Sequence, residues 1–206
     1  QAKRRKNQIR VFGGMTFFRP TELETITGFT ELRNGVHFGG ELLLPLHKKV
    51  GFILRAEYLT RAARVRDIQT DRVYEFVGSS IPVSGGFEWE FGLSRTLYLF
   101  LGGLAGAGID TKLVATSETQ DSPNQTVYQG IALHAVGKVA LNWFLSQTIA
   151  VYLETGYRYL KTESFATPSA DGNGANIFQD TTGQFVEFPL DYSGFLVSGG
   201  LTFELF

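Results

Sequence analysis

The feature of this chain that most restricts its fold is an alternation of apolar and polar residues with a period of two, repeated in segment after segment along the sequence. Over residues 97–109 the odd positions read Leu97, Leu99, Leu101, Gly103, Ala105, Ala107 and Ile109, apolar from end to end. Over residues 149–159 one face carries Ile149, Val151, Leu153, Thr155, Tyr157 and Tyr159, and the other Ala150, Tyr152, Glu154, Gly156 and Arg158. The same division runs through residues 36–46, 52–60, 81–93 and 131–143, and residues 9–18 and 195–206 complete a set of eight predicted strands. A helix repeats every 3.6 residues and would mix these two sets on one side.

The glycines need an account of their own. LYLFLGGLAGAGID (97–110) has the look of a strand entering a phosphate loop, but the dinucleotide fingerprint G-x-G-x-x-G must open a helix. Here Gly106 and Gly108 are followed by Thr111, and the next stretch, KLVATSETQDSPNQT, has no helical periodicity and contains Pro123. Nucleotide binding is rejected. Paired glycines at 13–14, 39–40, 85–86, 102–103 and 199–200 fall inside the predicted strands, where they permit strong coiling and leave room for neighbouring side chains. With 24 Gly and 18 Phe but no Cys, the composition suits twisted strands and excludes disulfides, thiolate metal sites and thiol nucleophiles. Nineteen basic against 20 acidic residues give no case for nucleic acid as a partner.

Short polar turns are predicted at residues 47–49, 94–96 and 146–148, and longer polar segments at 19–35, 62–74, 111–128 and 161–190. Three tight turns on one side, four long loops on the other and both termini on the turn side describe an all-β, eight-stranded, antiparallel up-and-down barrel. Charge decides which face meets solvent. Arg10, Glu41, Arg55, Glu57, Glu88, Glu90, Lys138, Glu154, Arg158 and Glu204 all fall on one face, and the strand centres of the other carry almost no charge. That other face is also bulkier, with Tyr58, Trp89, Phe91, Trp143, Tyr157, Tyr159 and Phe203 near strand ends, as in the aromatic girdles of a membrane barrel. The predicted fold is therefore a transmembrane β-barrel, apolar outside and ionic within. Residues 8–206 form this domain, and QAKRRKN (1–7) is expected to be a solvated basic tail, the kind of start left when an export signal is removed or a chain trimmed. No run of about 20 apolar residues offers a transmembrane helix.

The pattern resembles the OmpA/OmpX-like family of eight-stranded outer-membrane barrels over nearly the whole chain. Its most specific element is GGLTFELF at the C-terminus, where Leu201, Phe203 and Leu205 alternate outward and Phe206 supplies a terminal aromatic one residue out of phase. The resemblance implies an insertion signal at these residues, read by the outer-membrane insertion machinery. It also implies location in a bacterial outer membrane with both termini periplasmic, in contact with lipid and lipopolysaccharide. AEYLTRAARVRDIQ, SSIPVSGG and SGGLTFELF are similar in addition to TraO-type conjugative-transposon barrels.

An eight-stranded barrel is just wide enough for side chains to fill, so the four cations and six carboxylates of the inward face are expected to plug it as a charge network. Glu88 and Glu90 read as salt-bridge partners of the Arg and Lys on the same face in preference to a catalytic acid pair. Some small barrels that modify lipid A place a His, a Ser and an acid at the loop-side rim, but no His-x-Ser pair occurs here. His37, His134 and His47 are single and widely separated, which gives no metal-ligand spacing. No catalytic residue, metal or cofactor is predicted, and Asn124-Gln125-Thr126 is read as loop polarity although it matches a glycosylation acceptor. Phe29 in the first loop and Phe165, Phe178 and Phe185 in the fourth form a candidate partner surface for other envelope proteins, or pack loop on loop. The expected function is a non-enzymatic barrel, structural, adhesive or a subunit of an envelope complex. The alternatives are an outer-leaflet lipid-modifying enzyme and a small-solute pore.

Overall fold

Extended segments with one apolar and one charged face can satisfy their backbone N–H and C=O groups in hydrocarbon only by pairing on both edges, and closure into a ring leaves no edge unpaired. The computed structural model describes residues 6–18, 34–67, 72–119, 122–162 and 191–205. In it the strands are β1 (Gln8–Phe18), β2 (Asn34–Pro45), β3 (Val50–Asp67), β4 (Arg72–Gly92), β5 (Leu97–Thr119), β6 (Ser122–Phe144), β7 (Ile149–Thr162) and β8 (Gly194–Glu204). Each pairs antiparallel with its neighbours in sequence, and β8 returns to β1 to close an eight-stranded barrel.

The three turns share one geometry. Leu46 and His47 donate their backbone N–H to Val50 O, Leu93 and Ser94 to Leu97 O, and Leu145 and Ser146 to Ile149 O. In the latter two the serine Oγ also accepts from the backbone N–H groups of the residues two and three further on. Both chain ends lie on this same side, where Leu205 N donates to Asn7 O and Glu204 N to Thr148 O.

The loop side differs from expectation. Residues 62–74 and 111–128 are not two long loops: β3 runs on to Asp67, β4 starts at Arg72, β5 reaches Thr119 and β6 starts at Ser122. Asn124-Gln125-Thr126 therefore belongs to β6, paired with residues 115–117 of β5. Both segments are polar enough to read as loops, and β5 in addition changes phase. Asp110, at φ 53°, is the one non-glycine residue with positive φ among those described, and the β5–β6 register slips between Gly108 and Thr111. This β-bulge inserts one residue, so the inward row changes from the even positions Leu104 and Gly108 to the odd positions Thr111, Leu113 and Ala115.

Along the turn-side part of each strand the apolar face points outward. Val36, Phe38, Val83, Phe87, Leu101, Val139, Leu153 and Val197 are exposed there. Aromatics flank this band at both ends: Trp89, Phe91, Trp143 and Phe203 on the turn side, Phe38, Tyr58, Tyr159 and Phe195 on the loop side. β1 and β8 have 11 residues each, close to the roughly 9–11 that a tilted strand needs to cross a bilayer. Beyond the bulge the interior is largely apolar, with the buried Arg61 stacked 4.5 Å over the Tyr192 ring. Phe76, Leu113, Ala115, Tyr128 and Leu160 are buried inside an extension built mainly from β3 to β6, while Lys112 and Asp110 pair on its outside at 3.0 Å. Tyr192 crosses this interior, taking Leu160 O with its backbone N–H and donating its hydroxyl to Lys112 O.

Candidate functional site

The site is the lumen. An inward side chain occurs at every second residue, so each strand contributes one group per layer, and eight strands bring residues far apart in sequence within contact. At the turn-side end Arg10 (β1) grips Glu88 (β4) with two 2.7 Å bonds, one from each terminal nitrogen, and Nη1 also reaches Glu41 (β2) at 3.2 Å. Arg55 (β3) holds three carboxylates: Glu41 at 3.0 Å, Glu154 (β7) at 2.8 Å and Glu57 at 3.0 Å. Lys138 (β6) bridges Glu41 and Glu154, and Tyr152 donates its hydroxyl to Glu154. Arg158 (β7) closes the sequence, donating to Glu57 at 2.7 Å and to Thr16 at 2.8 Å. These four cations and four carboxylates are enclosed, each no more than 4% exposed. Charged hydrogen bonds in such surroundings are strong, and each depends on its partner, because an unpaired buried ion costs several kcal/mol.

Aromatic and aliphatic side chains seal the remaining space. The Arg10 guanidinium lies between the rings of Phe100 and Tyr152, 4.7 and 5.1 Å from their centroids, and Arg55 stands 4.2 Å over Phe12. Leu43, Ile53, Leu104, Val136 and Leu196 form a buried apolar cluster on the same inward face. The alternation hid these five residues, because they share strands with the ions and were absorbed into a face read as polar.

Glu204 joins the network through Gln8, whose Oε1 accepts from Arg10 at 3.4 Å. Glu90 and Glu204 line the turn-side mouth and are half-buried, with Glu204 accepting from Gln8 at 3.5 Å. Leu201 and Phe203 point outward near the β8 end, and Leu205 is half-buried. Phe206, Phe29, Phe165, Phe178 and Phe185 lie outside the described residues.

Two histidine rows in the lumen were invisible in the sequence. Gly14 pairs with His37 on one side and Ser198 on the other, and His37 Nε2 lies 2.8 Å from Ser198 Oγ. A Cβ on Gly14 would fall 2.0 Å from Val197 O, so only glycine lets the strands approach closely enough for this contact. Gly106 likewise separates His134 from Ser84, with its own Cβ position 2.0 Å from Val83 O. Here Ser84 Oγ and both ring nitrogens of His134 have no hydrogen-bond partner, and His134 Nε2 stands 3.7 Å from Glu57.

The first row brings together a serine and a histidine 161 residues apart, which a search for His-x-Ser spacing could not find. Its polarity is wrong for a nucleophile. Arg158 donates to Thr16 Oγ1, so the Thr16 hydroxyl proton is used only if it goes to His37 Nδ1, 3.0 Å away. The Nε2 proton then points at Ser198 Oγ, whereas a general base must accept from the serine. The residues are also enclosed in the lumen.

No family model matches the chain, and neither does any curated protein. Among solved structures the chain is similar to Ail, the attachment invasion locus protein of Yersinia pestis, in complex with the heparin analogue sucrose octasulfate. That pair shows 12% identity over 97% of this chain and 100% of that one, at a TM-score of 0.49. It is similar also to the N-terminal β-barrel domain of Pseudomonas aeruginosa OprF, at 12% identity over 97% of each chain and a TM-score of 0.43. Neisserial surface protein A gives 9% identity over 97% of this chain and 95% of that one, with a TM-score of 0.44.

Proposed function

We propose that the chain is a non-enzymatic integral barrel of a bacterial outer membrane, its turns and termini on the periplasmic side and its strand extension and long loops outside. It acts as a structural or adhesive protein or as the membrane subunit of an envelope complex. The observation that carries this reading is the pairing of an exposed apolar band with a lumen filled by mutually bonded ions. Such an exterior needs hydrocarbon around it, and such an interior has no space for a solute stream. With the lumen closed, recognition falls to the parts beyond the bilayer. Phe29, Phe165, Phe178 and Phe185 are the candidate partner residues there, lipopolysaccharide and other envelope proteins the candidate contacts, and Leu201, Phe203, Leu205 and Phe206 the candidate insertion signal.

Two measurements on the refolded chain test this. In planar bilayers it is expected to insert without opening discrete channels; stable unitary conductance would replace the plug by a pore. In detergent it is expected to stay monodisperse and to aggregate when the detergent is removed. A folded monomer in plain buffer would end the membrane reading.

A further inference from the structure

The strands of the barrel end at different heights on the loop side. β2 pairs with β3 only as far as Thr60, and β7 with β6 only from Ala132. Beyond these residues the ladder runs across β3, β4, β5 and β6 alone among the described residues, so the extension is a sheet with one side open. A sheet buries an apolar face only against another element. Phe76, Leu113 and Ala115 are nevertheless buried on its inner face.

One side chain crosses that open side. Tyr192 starts at β7, where its N–H donates to Leu160 O, and its hydroxyl ends 2.8 Å from Lys112 O on β5. Between these points Arg61 of β3 stands 4.5 Å over the ring, and a Cβ on Gly78 of β4 would fall 2.5 Å from the hydroxyl oxygen. Next to it on the turn side, Ser80 and Thr111, both fully buried, share a 2.7 Å hydrogen bond. The crossbar is lightly fastened. Residues 191–193 meet β7 through one isolated bridge, Lys161 to Asp191, in place of a ladder. Ser193 Oγ accepts from Leu160 N at 3.0 Å, and Asp191 Oδ1 accepts from Ser193 N at 2.8 Å. Segments with so few backbone bonds open at lower free energy than the ladders around them.

We propose that residues 191–193 are a strap whose Tyr192 ring latches the loop-side end of the lumen, and that its release opens a blind chamber floored by Ser80 and Thr111. The ion network of Arg55, Glu57 and Arg158 lies deeper, so release makes no pore; strap and plug are separate closures.

The chain has no Cys, so Ser80→Cys places a single thiol under the strap. Its reaction with a membrane-impermeant methanethiosulfonate is followed by mass spectrometry on the full chain in micelles, with folding checked by circular dichroism. The thiol is expected to react slowly in the otherwise native chain and at least tenfold faster with Tyr192→Gly. Gly78→Ala adds an atom where the other variant removes a ring, and is expected to push the hydroxyl off Lys112 O and speed the reaction several-fold. Both variants are expected to show no channels in planar bilayers. A native rate equal to that of an exposed cysteine would overturn the proposal, as would a rate that either substitution leaves unchanged: a rise with Tyr192→Gly alone marks a hole in the packing and not a latch. Stable channels in either variant would overturn the separation of strap from plug.

Discussion

Strand β5 passes through two regions with opposite interiors. Below Asp110 charged and polar side chains stand beside it: Gly102 and Gly106 leave space into which Lys138 and His134 of β6 project beside Glu88 and Ser84 of β4, while Phe100 and Leu104 also point inward and Leu99, Leu101 and Ile109 face outward. Above it Leu113 and Ala115 point inward among Phe76, Tyr128 and Tyr192, with Lys112 outside. The backbone pairing is continuous, so the difference lies in the surroundings. In hydrocarbon the outside must be apolar and the ions are confined together within; in water the rule for a soluble barrel returns and the apolar residues are hidden. One inserted residue exchanges the two faces of β5, while β4 and β6 keep their even positions inward throughout, from Phe76 to Glu88 and from Tyr128 to Asn142.

The largest effect is expected where the ionic interior is broken. Arg55→Met removes the cation shared by Glu41, Glu57 and Glu154 and leaves the lumen one positive charge short. Removing one partner from a buried ion pair costs about 3–5 kcal/mol. The unfolding midpoint in urea, measured in lipid vesicles, should fall accordingly. A loss below about 1 kcal/mol, the level of solvent-exposed pairs, would mean that water reaches these carboxylates and that the plug is not dry.

The apolar interior of the extension is tested by two leucines of the same strand. Leu113→Ala empties a fully enclosed position and should cost about 2–4 kcal/mol, transfer and cavity terms together. Leu101→Ala removes the same atoms from the outward face, where Leu101 is 41% exposed and lipid refills the space, so only the transfer term of about 1–2 kcal/mol is lost. The reverse order would show that the extension is not packed as a core.

What the residues disclosed in advance follows from which physics is local. Period-two alternation and the segregation of charge are properties of each strand, so strand number, face assignment and the three turns could be read directly. The contacts of Arg10 with Glu88 and of His37 with Ser198 join positions 78 and 161 residues apart, and only barrel closure sets them. The extension was hidden by its polarity, since Arg64, Arg66 and Asp67 in β3 and Lys112, Thr116 and Ser117 in β5 give segments that read as polar loop. The apolar cluster of Leu43, Ile53, Leu104, Val136 and Leu196 was hidden for the opposite reason, lying on a face already assigned to ions.

The smallest effect should fall on the residue that divides the two regions. Asp110 occupies the left-handed conformation, which costs most side chains about 1–2 kcal/mol and is eased by a short polar group. A β-branched residue is the least tolerant of it. Asp110→Val should therefore destabilise by about 1–2 kcal/mol, with the change in register between Gly108 and Thr111 as the element under strain. Asp110→Gly relieves the conformation and gives up only the exposed pair with Lys112, a contact of about 0–1 kcal/mol, so the two terms should nearly cancel. Equal losses in both variants would assign the role of Asp110 to its carboxylate. A loss confined to the valine variant would assign it to the backbone, and with it the exchange of the inward row of β5 from Leu104 and Gly108 to Thr111 and Leu113.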